Sequence, residues 1–429
     1  MEDTIMLIDF TMTNFTSFKN ETTLSAETGE RLSRLKETNT FKENGKSLLK
    51  NLLIFGPNGA GKSNLLEGLN LMRRIVLKNT EKVTTKLPMQ PFLMNDESEH
   101  SGVEFKVNFN YDKSTYTYEF SFNKEEIIYE KLTYLDGTTN RIYFERNYQQ
   151  YKTIPASLRN LMATTKKNTL LLYNAQQNND EKSIDVIQWF QNDLVFVEGA
   201  EISEDLIELM KIPVVKDEFL RFLHFADFNI IDINIRQVPV QRTPVLIKFA
   251  KFFGDDDMEV PETLPQLFTV HQKYNGDGDV IGQEELPLSN ESKGTQKVFV
   301  IVLSIINAQR EGNGKTLLFD EFDDSLHFEL SKALVKIFNS KKNRNQFILT
   351  THELQLLNSD VRVDQVYLVE KNFQGVSELK SIFDFKGSRD TARRDVNFMH
   401  RYIQGRFGAV PSVNTDEMLS ALEEVNKNE

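Results

Sequence analysis

The feature that most constrains this chain is a glycine-spaced turn between two apolar runs. In "NLLIFGPNGAGKSNLLEGLNLM", residues 51–72, the run Leu52–Phe55 stops at Gly56. Gly59 and Gly61 follow before Lys62 and Ser63 open an amphipathic stretch. The octet Gly56-Pro57-Asn58-Gly59-Ala60-Gly61-Lys62-Ser63 fits G-x-x-x-x-G-K-[ST]. Glycine lacks Cβ, so the backbone can turn tightly and aim several N–H groups at one phosphate. A helix starting near Lys62 adds its unsatisfied N–H groups and positive dipole end. Lys62 would neutralise β- and γ-phosphates, and the Ser63 hydroxyl would ligate Mg²⁺. Asn58 and Asn64 fall in the same cradle and are read as nucleotide contacts with it. The bland alternative is a glycine-rich turn with no ligand. Against it, Leu65, Leu66, Leu69, Met72 and Ile75 recur on one helical face, so the motif sits in the strand–turn–helix context it requires. ATP and Mg²⁺ are the expected ligands.

Composition sets outer limits. The 429 residues are 39% apolar and 27% charged, enough for a sizeable core and for two or three domains. No cysteine is present, which excludes disulfides and thiolate-held metal and fits a reducing cytoplasm. "MEDTIMLIDFTMTNF" reads as a strand rather than a leader, and no window approaches 18 unbroken apolar residues, so no membrane span is expected. A net charge of −12 argues against a large basic face for duplex DNA, though a local patch for nucleic acid stays open.

The rest of the candidate site lies far downstream. The apolar strand Thr316–Phe319 ends in Asp320-Glu321. At the carboxyl end of a parallel strand, Asp320 could hold Mg²⁺ through water and Glu321 could polarise the attacking water. A buried strand meeting a solvated acidic loop is the ordinary alternative. The next apolar strand, "QFILTTH" (346–352), ends in His352, placed to present an imidazole to a γ-phosphate. Upstream, "LSNESKGTQKVFVIVLSIINAQ" (288–309) is a polar turn opening a long apolar helix. Ser292 would cap that helix, with Thr295 or Gln296 returning the bond. Ser292, Gly294 and Gln296 could also meet a γ-phosphate at the helix N-terminus, and a second subunit's nucleotide is the expected one.

In this order the elements resemble the ABC-type ATPases: phosphate loop, signature turn, acidic strand, switch histidine. "ESKGTQ" is similar to a divergent LSGGQ signature, with Lys293 in place of its second glycine, and "DDSLH" (323–327) stands where the D-loop falls. Ring-forming AAA+ ATPases are similar only in the first and third elements. More closely, the chain resembles the stand-alone ABC-type ATPases of abortive-infection and anti-phage loci, the RloA/AbiL-like group. The resemblance rests on "FTMTNFTSFKNETTLS" (10–25), "DQVYLVEKNFQGVSEL" (364–379) and "RYIQGRFGAVPSV" (401–413). DNA-repair relatives often carry Asn-Phe-Arg in the first strand, where this chain has Asn14-Phe15-Thr16. The resemblance implies an α/β fold: a RecF/SMC-head-like core with a mixed sheet, an antiparallel β-subdomain and a helical inserted arm. It implies a homodimer around ATP, or a higher oligomer. It also implies a separately encoded TOPRIM-like nuclease effector and a phage trigger protein. The family's Q-loop has one candidate, Gln90 in "LPMQPF", as a third metal ligand. A DNA-clamping RecF/SMC-like repair ATPase is the alternative, with a basic groove near Lys341-Lys342 or Arg389–Arg401. An ATP-hydrolysing component for a transporter is a third.

Alternation in Val103, Phe105, Val107, Phe109 and in Tyr116, Tyr118, Phe120, Phe122 predicts an antiparallel meander over 103–144, its aromatic residues core rather than base-stacking. Residues 155–228 read as mostly helical. More chain separates Lys62 from Glu291 than a minimal ABC core needs, which predicts an inserted arm, and no sustained heptad makes it a long coiled coil. "NGDGDVIGQEEL" (275–286) fails as an EF-hand and reads as a hairpin turn. Lys386–Arg406 carries six Lys/Arg against two Asp, a local excess that Arg389, Arg393, Arg394 or Arg401 could turn toward nucleic acid. The expected division is 1–150 for the N-terminal lobe, 151–236 for the arm, 237–413 for the C-terminal lobe and 414–429 for a flexible acidic tail. With so short a stretch after His352, no fused nuclease domain is expected.

Overall fold

The computed structural model describes residues 5–427 apart from 31, 44–45, 198, 200–201, 227, 241–261, 313, 386–397, 407 and 409–413. The chain packs as two units. The first contains residues 1–196, 313–322 and 332–429; the second contains 197–312 and 323–331.

The first unit is built on two sheets. One is seven-stranded, in the order β10-β9-β8-β7-β6-β1-β2. Its strands are β1 (Met6–Thr13), β2 (Thr22–Ser25), β6 (Val103–Tyr111), β7 (Ser114–Phe122), β8 (Ile127–Asp136), β9 (Thr139–Asn147) and β10 (Gln150–Thr153). The expected meander is its central part. Every second residue of β6 and β7 (Val103, Phe105, Val107, Phe109; Tyr116, Tyr118, Phe120, Phe122) is buried. Strand period two delivers them all to one face. Trp189 stacks on Phe109 at 4.0 Å between ring centroids.

The other sheet has the order β11-β15-β16-β5-β17-β18. It comprises β5 (Asn51–Phe55), β11 (Leu194–Val197), β15 (Thr316–Phe319), β16 (Gln346–Thr351), β17 (Val366–Lys371) and β18 (Ser377–Ser381). β15, β16, β5 and β17 run parallel and β18 antiparallel, so the sheet is mixed, as expected. β5, β15 and β16 are buried along their whole length, which is why they read as unbroken apolar runs rather than alternating ones. A two-stranded hairpin, β3 (Thr40–Glu43) and β4 (Lys46–Leu49), precedes β5.

The two sheets share one apolar core. The helix Lys62–Leu77 packs there, and Gly68 lets it lie close to β1: a Cβ would sit 2.7 Å from Met12 Sδ. Gln346, fully buried, stitches the sheets together. Its amide nitrogen donates to the carbonyls of Leu7 and Leu49, and its oxygen accepts from Thr316 Oγ1 and Leu7 N. All four hydrogen-bonding capacities of the amide are used, so the buried polar group carries no desolvation penalty of an orphan. At the foot of β5, burial pushes the Lys50 ammonium down to about 8, while it donates to the carbonyls of Ser340 and Asn343.

The second unit has its own core. The helices Glu204–Leu209, Pro213–Phe225 and Lys293–Glu311 and the strands β12 (Asp232–Pro239) and β13 (Thr263–Tyr274) contribute to it, while β14 (Val280–Pro287), largely exposed, pairs with β13. The strands form a sheet in the order β12-β13-β14, and the expected hairpin turn joins β13 to β14.

The stretch 155–228 is mostly helical, as expected, and β12–β14 follow it within the second unit. That unit does not begin at residue 151. Leu158, Leu161, Leu171, Leu172, Val186, Trp189 and Phe190 are buried in the first unit's core, so the chain leaves that unit only near 196. The acidic tail includes a helix, Thr415–Lys427, with Asp416 and Glu417 in its first turn, where they suit the helix dipole.

Candidate functional site

β5 ends at Phe55 and its successor turn occupies Gly56–Gly61 before the helix Lys62–Leu77. The glycines are required for separate reasons. A Cβ on Gly56 would lie 2.3 Å from the Val369 carbonyl of β17. Gly59 has open space around it but φ of +74°. Gly61 has φ of +114°, and a Cβ there would meet Ser377 Oγ at 2.6 Å and Ser17 Oγ at 2.7 Å.

Lys62 is buried, and its ammonium folds back into the turn, donating to Gly56 O at 2.9 Å and Pro57 O at 3.2 Å. Around it Asn58, Gly59 and Ser63 are exposed. The helix starts at Gly61 with no side-chain cap. Its first amides are thus left to whatever anion arrives.

The sheet order then assembles the distant residues. β16 pairs with β15 on one side and β5 on the other, in the register Phe319 to Leu349 and Phe55 to Thr351. The carboxyl ends of the three strands therefore lie side by side, roughly 5 Å apart per strand. Asp320-Glu321, His352 and the glycine turn leave from that one edge, where ligands of parallel α/β sheets bind. His352 Nδ1 is 3.5 Å from Lys62 Nζ. Thr350 of β16 ties down the acidic pair: its hydroxyl donates to Asp320 Oδ1 at 2.5 Å and accepts from the Glu321 amide at 2.7 Å. Glu321 has φ of +46°, a left-handed conformation that a non-glycine residue keeps only when its surroundings enforce it.

Two predicted members are placed differently. Asn64 gives its side-chain amide N–H to Ser17 Oγ at 2.8 Å, so that side chain braces the loop. Gln90 is exposed, and no described contact joins it to Ser63 or Asp320. Its carbonyl accepts from Thr16 N, and the residue lines a cavity of about 450 Å³ with Arg74, Ile75 and Lys78, toward the other end of the helix that Ser63 opens.

Thr350, Ser17 and Ser377 escaped the sequence reading. Ser377 Oγ lies 2.5 Å from Ala60 O and 2.8 Å from Ser17 Oγ, clamping the turn between β1 and β18. No local pattern links positions 17, 60 and 377, so no sequence signal marks them. Thr350 did stand in the quoted strand, as the polar residue before its end.

The residues of the predicted signature turn belong to the second unit. Ser292 caps the helix Lys293–Glu311, its Oγ accepting from Thr295 N at 3.1 Å. Ser292 and Lys293 are exposed and Gly294 is partly so. A Cβ on Gly294 would lie 2.4 Å from the Ser325 carbonyl of the "DDSLH" loop. Gln296 donates from its side chain to Glu291 O at 2.8 Å, within its own turn. Of the predicted basic groove, Lys341 pairs with Glu37, and Arg389, Arg393 and Arg394 lie outside the described residues, as does most of 407–413. Among the described residues no cluster of three or more His, Asp or Glu is set to hold a metal, and no helix is long and apolar enough to cross a membrane.

No curated protein sequence matches the chain. Among solved structures it is similar to the SMC head domain from Thermotoga maritima, at 13% identity over 87% of this chain and 98% of that one, TM-score 0.38. It is also similar to the SmcHead bound to the C-winged helix domain of ScpA, at 12% identity over 87% and 97%, TM-score 0.39. A third is the Smc head domain with an extended coiled coil bound to the C-terminal domain of ScpA derived from Pyrococcus furiosus, at 12% identity over 98% and 100%, TM-score 0.42. A family model described as "AAA domain, putative AbiEii toxin, Type IV TA system" matches residues 52–358. That stretch is more than half of the 429 residues and holds the glycine turn, the acidic strand and the histidine strand alike, so the chain belongs to this family of AAA domains.

Proposed function

We propose that the protein is an ABC-type ATPase that binds ATP with Mg²⁺, dimerises around it and hydrolyses it to ADP and phosphate. The observation that carries this reading is the meeting of Lys62, His352, Asp320 and Glu321 at the carboxyl edge of β15, β16 and β5. Gly56, Asn58, Gly59, Gly61 and Lys62 hold the phosphates. The Ser63 hydroxyl and Asp320 carboxylate are hard oxygen donors of the kind Mg²⁺ takes. The ion, when bound, offsets charge that builds on the phosphate oxygens. Glu321 orients the attacking water and draws off its proton as the new oxygen–phosphorus bond forms and the bond to the β–γ bridging oxygen breaks. His352 faces the γ-phosphate and stabilises its charge. Ser292, Gly294 and Gln296 close the site in trans on a partner protomer. The exposure of Ser292 and the part exposure of Gly294 and Gln296 at a long helix's N-terminus support this.

On the finer resemblance, the chain is an RloA/AbiL-like cytoplasmic sensor or scaffold of a two-component anti-phage system. A phage protein triggers it, and a separately encoded TOPRIM-like nuclease is the effector. Nucleic acid is a candidate contact of the basic segment.

The test is Glu321→Gln. Turnover should fall about 100- to 1,000-fold while ATP binding persists, and sedimentation with ATP and Mg²⁺ should show a stable dimer. Normal hydrolysis by this variant would remove Glu321 from its role. Nuclease activity of the purified protein alone would sink the two-component reading.

A further inference from the structure

The residue before the signature cap is held from two sides. Glu291 Oε1 accepts from the Thr269 hydroxyl at 2.5 Å and lies 2.7 Å from His271 Nε2. Thr269 and His271 are alternate residues of β13 and so share a face. Thr269 is fully buried, and the side chains of His271 and Glu291 keep only 24% and 14% of their exposure. From the helix, Gln296 Nε2 donates to the Glu291 carbonyl, while the Glu291 amide donates to Leu288 O.

None of this is needed to form the helix. Ser292 closes the cap without help, and Val298, Phe299, Val302 and Leu303 anchor the helix in the second unit's core. A carboxylate near an N-terminus would favour the dipole equally well if it stayed in water. What the three-residue clamp adds is direction: it ties the Ser292–Gln296 turn to a fixed point on β13, so the turn cannot swing about its cap.

We propose that Glu291, through Thr269 and His271, is a positioning residue for the signature turn, presenting it to a partner protomer's ATP. This rests on the reading that Ser292 and Gly294 act in trans.

The test uses full-length protein carrying Glu321→Gln, with ATP and Mg²⁺. Dimer dissociation constants come from sedimentation, and single-protomer affinity from a fluorescent ATP analogue. Adding Glu291→Ala should weaken the dimer about tenfold or more, with single-protomer affinity unchanged. Glu291→Gln keeps an acceptor oxygen for both donors and should stay within about threefold of the parent. Thr269→Val should weaken the dimer in the same direction. A Glu291→Ala protein that dimerises like its parent overturns the inference. So does one that also loses single-protomer ATP affinity, since that marks a general structural role. If the Glu321→Gln parent does not dimerise with ATP, the trans reading itself fails, and the clamp's proposed purpose goes with it.

Discussion

The glycine turn at 56–61 and the proposed signature turn at 292–296 share a glycine at a helix start and solve opposite problems. Each opens a long helix, and each presses a glycine against a carbonyl: Gly56 on Val369, Gly294 on Ser325. They differ at the cap. The helix Lys62–Leu77 starts at a glycine with no side-chain acceptor, and its one cation is turned inward onto its own loop carbonyls. The helix Lys293–Glu311 starts at a serine that satisfies Thr295 N from within. An uncapped start, braced from behind by Ser17 and Ser377, leaves its first amides open to an anion, as the proposed phosphate binding requires. A self-capped start is stable without one, which suits the proposed closure in trans. Equivalent chemistry at a helix terminus thus reads as primary binding or as closure according to who supplies the first-turn acceptor.

That contrast can be broken most decisively at Lys62. Lys62→Met should cut ATP affinity about a hundredfold, because a charge-assisted contact to phosphate is lost, while circular dichroism shows the fold intact. Equal loss of single-protomer affinity in Ser292→Ala would erase the distinction. Next come the pressed glycines. Gly56→Ala should destabilise the protein by about 2 kcal/mol in urea titration, since backbone rather than a yielding side chain opposes the new methyl. Gly59→Ala, with room but a left-handed φ, should cost about 1 kcal/mol. A reversed order would mean that Gly56 is not held against β17. The smallest effect is expected from Ser292→Ala: about 1 kcal/mol from the lost cap, read as local loss of amide protection at the start of the helix Lys293–Glu311.

Much of this was legible because local spacing encodes backbone and burial. The run–glycine–helix order placed Lys62 on the helix start, period-two aromatic residues announced the meander, and Ser292 announced its own cap. Where spacing is silent, only tertiary contacts place a side chain. Asn64 looks like part of a phosphate cradle by adjacency, but its amide turns to Ser17, which belongs to the loop after β1. Gln90 is a Q-loop candidate by resemblance alone, and in the structure it lines a cavity beside Arg74 and Lys78. Helical patterns over 155–228 suggest an arm from 151, yet those helices bury Leu171, Val186 and Trp189 in the first unit's core. Amphipathicity states that a face is buried and is silent about against what.

The amino-acid order by itself determined the elements: which residues turn, which strands are buried on both faces, and which helix ends are capped. Strand adjacency was decided only in three dimensions. The insertion of β16 between β15 and β5 sets His352 beside Lys62 and lets Thr350 grip Asp320 and Glu321, across gaps of chain too long for any period to span. Local conformation follows from neighbours along the chain, but a site shared by three strands follows from which hydrophobic faces close on one another, and that is a property of the packed whole.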